Sequence, residues 1–403
     1  MPVITLPNAE QIERMINLLG GDQDIYGIHW DKVNDVITRT AGAVGLTQSD
    51  FDNIAPWSNM RRCTVNDSGV VTSYYGDPNY IEDGSIGQVM VELKKFYYRA
   101  FTTVNGYQWE ISPNPKTGFK VHPAFIKGAT TLDRVFVSAF EGSVYDTSAT
   151  AYLLADEQIT DFTATTGDKL SSIAGAKPCS GLTQNLTIVN SRIIAKNRGT
   201  GWQLLDFGVA TALQMLLFIE YASFNSQTVI GLGVVNKASG TGNESEITGA
   251  TSFLGNASGR QAGTDGLTSV SYRGVENFWG NIWSWVDGIN IQNHVPYLAT
   301  DAYQSDKFTD NYTQIGSSIS LTTGYISDVI LNDNFDFGIL GSKTSGSSTT
   351  KVPDYQYQVT GNRVSHLGGS WAYGAVAGFA CWSLSTSSAA RDRALGSRLC
   401  YKI

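Results

Sequence analysis

The 403-residue sequence is short of cysteine and of charge. Its four cysteines, Cys63, Cys179, Cys381 and Cys400, are too few and too far apart for a disulfide framework, although a single Cys381–Cys400 bridge stays open. Charged residues make up 16% of the chain and the net charge is −8, so the clustered Lys and Arg of a nucleic-acid-binding surface are missing. These shortages exclude a disulfide-rich scaffold and argue against a nucleic-acid partner.

Long hydrophobic runs are also missing. The first fifteen residues lack a basic region followed by an apolar one, which a secretory signal requires. The longest apolar run, residues 213–219, is far shorter than the ~18–20 residues of a membrane-spanning helix. We therefore expect neither a signal peptide nor insertion into a membrane.

Catalytic motifs are absent as well. The sequence contains no GxSxG, HExxH, GxxxxGK[ST] or CxxC element. Four histidines are scattered singly, which is typical of hydrogen-bonded structural residues: His29, His122, His294 and His366. Asp333 and Asp336, in residues 331–338, offer oxygen ligands for Ca²⁺, but the spacing and the distal Glu of a calcium loop are missing, which favours an Asx-rich turn. The sequence predicts no enzyme, no metal and no cofactor.

Glycine and aromatic residues are abundant, at 42 residues and 11% of the chain. Several segments rich in β-branched and aromatic residues are bounded by Gly, Pro, Asn or Asp, which predicts short strands between turns. These segments are residues 68–80, 87–101, 107–125 and 133–146. The composition therefore predicts a β-rich, loop-rich α+β protein with few helices.

Two helices are predicted. Residues 8–21 place apolar side chains on one face behind Asn8 as a cap, and we assign residues 1–26 to attachment or oligomerisation. Residues 204–221 are apolar nearly all round, which predicts a helix packed on several sides. The remainder, residues 27–403, is expected to form one elaborated domain with polar insertions around 147–200, 237–266 and 297–362.

Two motifs are more specific than the composition. The first reads Gly-Asn-Ile-Trp-Ser-Trp at residues 280–285, and the second reads Gly-Gly-Ser-Trp at 368–371 followed by Gly-Ser-Arg-Leu at 396–399. Together they resemble the paired signatures of the formylglycine-generating-enzyme branch of the C-type lectin fold. The matching positions are Gly280, Asn281, Trp283, Trp285, Gly368, Gly369, Ser370, Trp371 and Arg398.

Physical chemistry supports this match. The glycines allow close approach of two backbones at tight turns, and the tryptophans supply large buried anchors. Arg398 is expected to pin a loop by bidentate bonding to a carboxylate. The C-terminal segment would then be ordered because it closes the fold.

The enzymes of this branch carry two copper-binding cysteines a few residues apart, whereas Cys381 and Cys400 are far apart. The chain instead resembles the variable proteins of diversity-generating retroelements and related phage receptor-binding proteins, which display a ligand-binding surface between GGSW and the last strand. Leu367 stands where the family has Arg, and residues 372–394 lack the Asn-rich composition of a diversified segment. A fixed binding surface is therefore expected.

The resemblance implies which residues that surface presents. The expected ligand-binding residues are Tyr373, Val376, Trp382, Ser383, Ser385, Thr386, Arg391, Asp392 and Arg393. For Trp382, burial in the core is the open alternative, because tryptophan is mostly buried in proteins. Phe379, Cys381, Leu384 and Leu395 are expected to point inward.

The resemblance implies a phage virion protein, a tail or head fibre or tip, that recognises a glycan or protein receptor on the host cell surface. Its other expected partners are virion proteins and further copies of itself, with a trimer favoured. The alternative is a structural decoration or tail-assembly protein without a receptor role. A formylglycine-generating or glycan-cleaving enzyme is the third possibility, for which the sequence offers no motif.

Overall fold

The computed structural model describes residues 24–156, 163–181, 184–238, 240 and 244–403. The helix predicted at residues 8–21 lies outside these residues. Within them the chain consists mainly of short strands and turns, with three α-helices. The prediction of a β-rich, loop-rich protein with few helices is confirmed.

The strands that the described residues form are short, and most of them follow one another through tight turns. The first fourteen are β1 Tyr26–Asp31, β2 Val36–Ala41, β3 Arg61–Val65, β4 Val71–Tyr74, β5 Gln88–Lys94, β6 Tyr97–Thr102, β7 Gly106–Ser112, β8 Lys120–Val121, β9 Ile126–Lys127, β10 Thr130–Thr131, β11 Arg134–Ser138, β12 Ser143–Asp146, β13 Ala151–Leu153 and β14 Lys169–Ser171. The later ones are β15 Trp202–Leu204, β16 Gly259–Arg260, β17 Val270–Tyr272, β18 Val275–Glu276, β19 Trp283–Gln292, β20 Val295–Leu298, β21 Thr313–Gln314, β22 Gly324–Tyr325, β23 Asp328–Val329, β24 Gly341–Lys343, β25 Tyr355–Gln358, β26 Asn362–Leu367, β27 Trp382–Thr386, β28 Leu395–Gly396 and β29 Leu399–Tyr401.

The helices are α1 Ile188–Lys196, α2 Phe207–Tyr221 and α3 Ser226–Val229. Helix α2 confirms the helix predicted from the apolar run, and it is buried along nearly its whole length. Asp206 caps its start by accepting a hydrogen bond from the backbone N–H of Val209 at 3.0 Å. At its end the guanidinium of Arg39 donates to the carbonyl oxygens of Ile219 and Glu220, where a cation complements the helix dipole. None of the helices in the described ranges is long and apolar enough to cross a membrane.

Three larger sheets organise the chain. The five-stranded sheet has the order β2-β1-β7-β6-β8, and the six-stranded sheet has the order β15-β29-β11-β5-β3-β4. The eight-stranded sheet has the path β21-β20-β19-β26-β27-β25-β22, with β28 beside β19. Helix α2 lies in the main hydrophobic core, to which strands of all three sheets contribute.

The C-terminal segment belongs to two of these sheets. Strand β27 pairs with β26 and β25 in the eight-stranded sheet, and β28 pairs in parallel with β19. Strand β29 then enters the six-stranded sheet between β15 and β11. The C-terminal segment therefore closes the fold, as the sequence predicts.

The two signature motifs meet as a pair of interlocked turns. The N–H of Gly280 donates to the carbonyl of Gly368 at 3.0 Å, and the N–H of Trp371 donates to the carbonyl of Asn281 at 3.0 Å. Both glycines adopt positive φ angles, +79° and +103°. A Cβ on Gly368 would come within 3.0 Å of the carbonyl oxygen of Phe278, so the close approach of the two turns requires glycine.

Asn281 extends this junction through its side chain. Its amide donates to the carboxylate of Glu141 at 2.5 Å, and its side-chain oxygen accepts from the N–H of Glu246 at 2.6 Å. Its own N–H donates to the carbonyl of Val234 at 2.7 Å. One buried asparagine thus ties together segments that are remote in the sequence.

Arg398 pins the adjoining segment, but not in the predicted way. Its fully buried guanidinium donates to the carbonyl oxygens of Glu276 and Asn277 instead of to a carboxylate. The carbonyls belong to the last residue of β18 and to the residue after it, so the arginine holds the chain that leads into the first signature motif. The expected bidentate carboxylate contact is wrong; the expected loop-pinning role is confirmed.

Three further expectations can be compared with the structure. Residues 147–200, which read partly as a connecting loop, contain strands β13 and β14 and helix α1. All four cysteines are buried and free, so the Cys381–Cys400 bridge is not formed. Each of the four histidines hydrogen-bonds to a hydroxyl or to a backbone amide, so the expected hydrogen bonding is confirmed.

The junction predicts a specific cost for adding one methyl group. At Gly280 a Cβ would meet backbone atoms of Val234 at 2.8 Å and 3.0 Å, whereas at Gly118, with φ +80°, it would meet nothing within 4 Å. Gly118→Ala should reduce the free energy of unfolding by only about 1–2 kcal/mol, because alanine is strained in the left-handed backbone conformation that glycine adopts there. Gly280→Ala should reduce the free energy of unfolding by clearly more, measured in urea. Equal losses in the two variants would show that the turns do not depend on close contact.

Candidate functional site

A cleft of about 270 Å³ opens beside the C-terminal segment, next to the signature turns. We call it the display cleft. Strands β19, β25, β26, β27 and β28 contribute to its walls, together with the segment between β26 and β27 and the stretch that precedes β28. Its lining residues are Trp283, Tyr357, His366, Tyr373, Ser383, Ser385, Thr386, Asp392, Ala394 and Leu395.

One wall of the display cleft is aromatic. The ring of Trp283 stands edge-to-face against Tyr373 at 5.1 Å and against Tyr357 at 6.2 Å between centroids. Tyr357 and Tyr373 are themselves 5.9 Å apart. Trp283 is buried, whereas both tyrosines are half-buried. The tryptophan thus supports two tyrosines whose rings reach the cleft.

His366 forms the floor beside Trp283, with ring centroids 4.4 Å apart. Its Nε2 and the Thr386 hydroxyl are 2.8 Å apart and share a hydrogen bond. Burial lowers the pKa of His366 to about 3. The imidazole is therefore neutral at physiological pH and serves as a positioned polar group without charge.

Hydroxyl groups and one carboxylate line the cleft beside these rings. The hydroxyl oxygens of Ser383 and Ser385 are 3.1 Å apart, and that of Thr386 is 3.5 Å from that of Ser383. Exposed Asp392 adds a carboxylate, one oxygen of which accepts a hydrogen bond from the N–H of Ala394 at 2.8 Å. The display cleft thus combines aromatic rings with hydroxyls and one carboxylate.

Alternation along strand β27 explains why two of its serines reach this cleft and Trp382 does not. Side chains alternate between the two faces of a strand, so Ser383 and Ser385 share the cleft side while Trp382 and Leu384 share the other. Trp382 is fully buried and its ring lies 5.2 Å from that of Phe207 on helix α2. The prediction that Trp382 contacts a ligand is wrong; it belongs to the core.

The other predicted positions divide into two groups. Tyr373, Ser383, Ser385, Thr386 and Asp392 come together in the display cleft. Three others lie outside its lining: Val376, Arg391 and Arg393.

These three residues sit on the surrounding surface. Val376 is half-buried in the short turn Gly374–Val376. Arg391 is exposed and donates to the side-chain oxygen of Asn185 at 3.1 Å, and Arg393 is half-buried. The four residues expected to point inward, Phe379, Cys381, Leu384 and Leu395, are all buried.

Sequence reasoning missed Tyr357 as a site residue. It lies in β25, whose Tyr-Gln-Tyr-Gln pattern places Tyr355 and Tyr357 on one face and the more deeply buried Gln356 and Gln358 on the other. That alternation was the available signal. What the sequence could not indicate is the parallel pairing of β25 with β27, which brings Tyr357 beside Ser383.

The calcium candidate is organised differently. Asp336 accepts a hydrogen bond from the Tyr98 hydroxyl at 2.6 Å, and its other oxygen lies 2.7 Å from the Lys120 ammonium. Asn332 accepts from the N–H of Asn334 at 2.9 Å in an Asx turn, which confirms the turn interpretation. Asp333 is exposed, and no group of three metal-capable side chains occurs among the described residues.

A buried acid supports the segment that carries Tyr373. Asp354 lies directly before β25. An oxygen of its carboxyl group accepts a hydrogen bond from the N–H of Ala380 at 2.7 Å. Burial raises the pKa of Asp354 to about 8, although this hydrogen bond lowers it in part. Asp354 therefore holds a proton in the folded protein over a wide pH range.

No family model matches the chain, and no curated protein matches it. Among solved structures, it is similar to the Major Tropism Determinant U1 variant, with 13% identity over 85% of this chain and 71% of that one, at a TM-score of 0.30. The Major Tropism Determinant P3c variant shows 11% identity over 93% of both chains, also at 0.30. Because identity and TM-score are both low, the likeness carries no argument about function.

Asp354 predicts how stability depends on pH. Between its ordinary pKa of 3.8 and about 8, the folded state keeps a proton that the unfolded state releases, so the free energy of unfolding falls as pH rises through this window. Asp354→Asn should keep the hydrogen bond from Ala380 and remove this loss. At pH 8 the free energy of unfolding of the variant should exceed that of the wild type by at least about 1 kcal/mol, which corresponds to a pKa shift of one unit.

The difference should vanish near pH 4, as measured by urea unfolding across the pH range. Asp310, whose side chain is 71% exposed, offers the control Asp310→Asn, which should follow the wild-type pH profile. Parallel profiles for Asp354→Asn and the wild type would contradict the proposed protonation.

Proposed function

We propose that the chain is a phage virion protein, a tail or head fibre or tip, that recognises the host cell surface through its C-terminal display surface. Its scaffold in this proposal is a C-type lectin-like domain of the formylglycine-generating-enzyme-like branch. The observation that carries the proposal is the display cleft, because five of the residues predicted for ligand binding converge on it.

The chemistry of the display cleft suits a surface glycan or a protein side chain. Tyr357 and Tyr373 offer aromatic faces that contact a sugar ring or an apolar anchor at low cost in conformational entropy. The hydroxyls and Asp392, which line the same cleft, supply directional hydrogen bonds. Since Trp283 fixes the aromatic wall and the signature turns fix Trp283, the binding groups are held in place before a ligand arrives.

The same cleft is poorly equipped for catalysis. His366 is neutral and its low pKa makes it a weak base near neutral pH. Glycoside hydrolysis normally uses a pair of carboxyl groups across the bond to be cleaved, whereas Asp392 alone supplies one to this lining. We therefore propose a binding role and no enzymatic one.

A small cleft implies modest affinity at a single site. Several copies on one virion would compensate, because linked sites can raise the overall avidity by ~10²–10⁴. We accordingly propose that the chain acts as a homo-oligomer, with a trimer favoured, attached to other virion proteins.

Binding of fluorescently labelled protein to a panel of bacterial strains tests the proposal. Tyr373→Ala should weaken strain-selective binding about 30-fold, the effect of losing one aromatic hot spot worth about 2 kcal/mol. Ser385→Trp should fill the cleft and reduce binding without removing any aromatic contact. Both variants should keep a cooperative thermal transition.

Tyr75, which is 38% exposed and lies outside the display cleft, offers the control Tyr75→Ala, which should bind as the wild type does. Binding that survives both cleft variants would place the receptor site elsewhere on the chain. A folded oligomer that binds no strain would favour the structural decoration or assembly role.

A further inference from the structure

A second and larger cleft lies on another part of the molecule and shares no lining residue with the display cleft. Its volume is about 480 Å³, within the range of ligand-binding sites. The turn after β3, the loop before β5, the β12–β13 hairpin, strand β14 and Arg198, two residues beyond α1, build its walls. We call it the basic cleft, defined by Asp67, Gln88, Tyr145, Tyr152, Lys169 and Arg198.

Arg198 contributes one of the two positive charges of the basic cleft, and its side chain is only 4% exposed. The guanidinium donates to the carbonyl of Leu170 at 2.8 Å, to the Ser171 hydroxyl at 2.8 Å and to Asp67 at 2.5 Å. Every nitrogen of the guanidinium is thus used within the protein. Arg198 therefore contributes a fixed positive charge to the lining, but its guanidinium is already hydrogen-bonded within the protein and does not bind the ligand directly.

Lys169 is the accessible cation. Its ammonium lies 2.9 Å from the second oxygen of Asp67, and its side chain is 29% exposed. An ammonium has three donors, so this ion pair leaves others for a ligand. Two cations against one carboxylate leave the lining with a formal charge of +1, in a chain whose net charge is −8.

Asp67 is held ionised by its neighbours. Burial by itself would raise the pKa of Asp67, but the charges and hydrogen bonds of Arg198 and Lys169 lower it overall. The local charge of +1 therefore persists at neutral pH. A local excess of positive charge in an acidic protein selects for an anionic ligand.

The basic cleft also has an aromatic surface beside Lys169. Tyr145 and Tyr152 are direct partners across the β12–β13 hairpin, and their rings meet edge-to-face at 5.0 Å. Both side chains are half-buried. They offer an apolar surface next to the ammonium of Lys169.

These groups are held in place. The Tyr152 hydroxyl donates to the carbonyl of Gly84 at 3.1 Å and accepts from the Gln88 amide at 3.3 Å. The Gln88 oxygen in turn accepts from the N–H of Ser172 at 2.8 Å. A Cβ at Gly84 would lie 2.4 Å from the Tyr152 hydroxyl, so glycine lets the tyrosine reach this position. A cleft fixed in this way binds without the cost of ordering its side chains.

We propose that the basic cleft is a second ligand-binding site, which takes an acidic saccharide, that is, a sugar unit carrying a carboxylate or a phosphate. The sugar ring packs on Tyr145 and Tyr152, while its anionic group accepts hydrogen bonds from Lys169. The loop before β5 borders the sugar hydroxyls. This site is independent of the display cleft and does not rest on the function proposed above.

Titration calorimetry with defined saccharides tests the site. The probes are a galacturonic acid dimer, the neutral galactose dimer, galactose phosphate and inorganic phosphate alone. The wild type should bind the acidic saccharides at least about 10-fold more tightly than the neutral dimer, as expected for a charge-assisted contact. Comparing the galacturonic acid dimer with galactose phosphate distinguishes a carboxylate-bearing sugar from a phosphate-bearing one.

Lys169→Gln should remove the preference for acidic over neutral saccharides, and Tyr145→Ala should weaken the binding of both. Lys343, whose side chain is 71% exposed, offers the control Lys343→Gln, which should bind as the wild type does. Tyr373→Ala should also bind the acidic probes normally, because it alters only the display cleft. A failure of the function proposed above would therefore leave these results unchanged.

Three results would overturn the inference. Equal affinity for acidic and neutral dimers would remove the role of charge, and equal affinity for phosphate and galactose phosphate would reduce the site to an adventitious anion contact. Lack of binding by the folded wild type to every acidic saccharide would remove the site altogether.

Discussion

The interlock of two glycine turns is the constraint on which the rest of the structure depends. Residues 280–281 and 368–371 exchange backbone hydrogen bonds at a distance that permits no Cβ at the crossing point. From this crossing β19 starts in one direction and β26 ends in the other, as antiparallel partners in the largest sheet. Trp283, which supports the aromatic wall of the display cleft, begins the first of these strands. The geometry of the cleft is thus inherited from backbone contacts that involve none of its lining side chains.

Buried charge reinforces the same arrangement. Arg273 contacts Glu220 through two hydrogen bonds of 2.7 and 2.8 Å, and Arg192 contacts Asp287 through two of 2.9 and 2.6 Å. Each pair joins a helix to a segment near the first signature motif. Buried pairs of this kind gain little over apolar packing, but breaking one leaves a charge without compensation, at a cost of about 3–5 kcal/mol. A chain with so little charge overall therefore uses part of it to fix the positions of its helices.

Local patterns predicted the elements, because alternation, caps and tight turns are properties of neighbouring residues, whereas the signature motifs were identified through the resemblance. Helix α2 and the strands of residues 87–101 follow from such patterns. The site was predictable only where the resemblance reached it. Trp382 was misplaced, although its i,i+2 relation to Leu384 already indicated the core face. Tyr357 and the basic cleft depend on strand pairing between distant segments, which a single sequence does not encode locally.

Strand β29 has a consequence for the order in which the protein assembles. It occupies an inner position of its sheet between β15 and β11, yet it comes after every other described strand in the chain. The edges of β15 and β11 that pair with β29 therefore stay unpaired until residues 399–401 have been synthesised. Contacts of such long sequence separation form slowly, and exposed strand edges in the meantime invite association with other chains. Late completion of this sheet links correct folding to protection of the nascent chain, whether by a chaperone or by early contact with other copies.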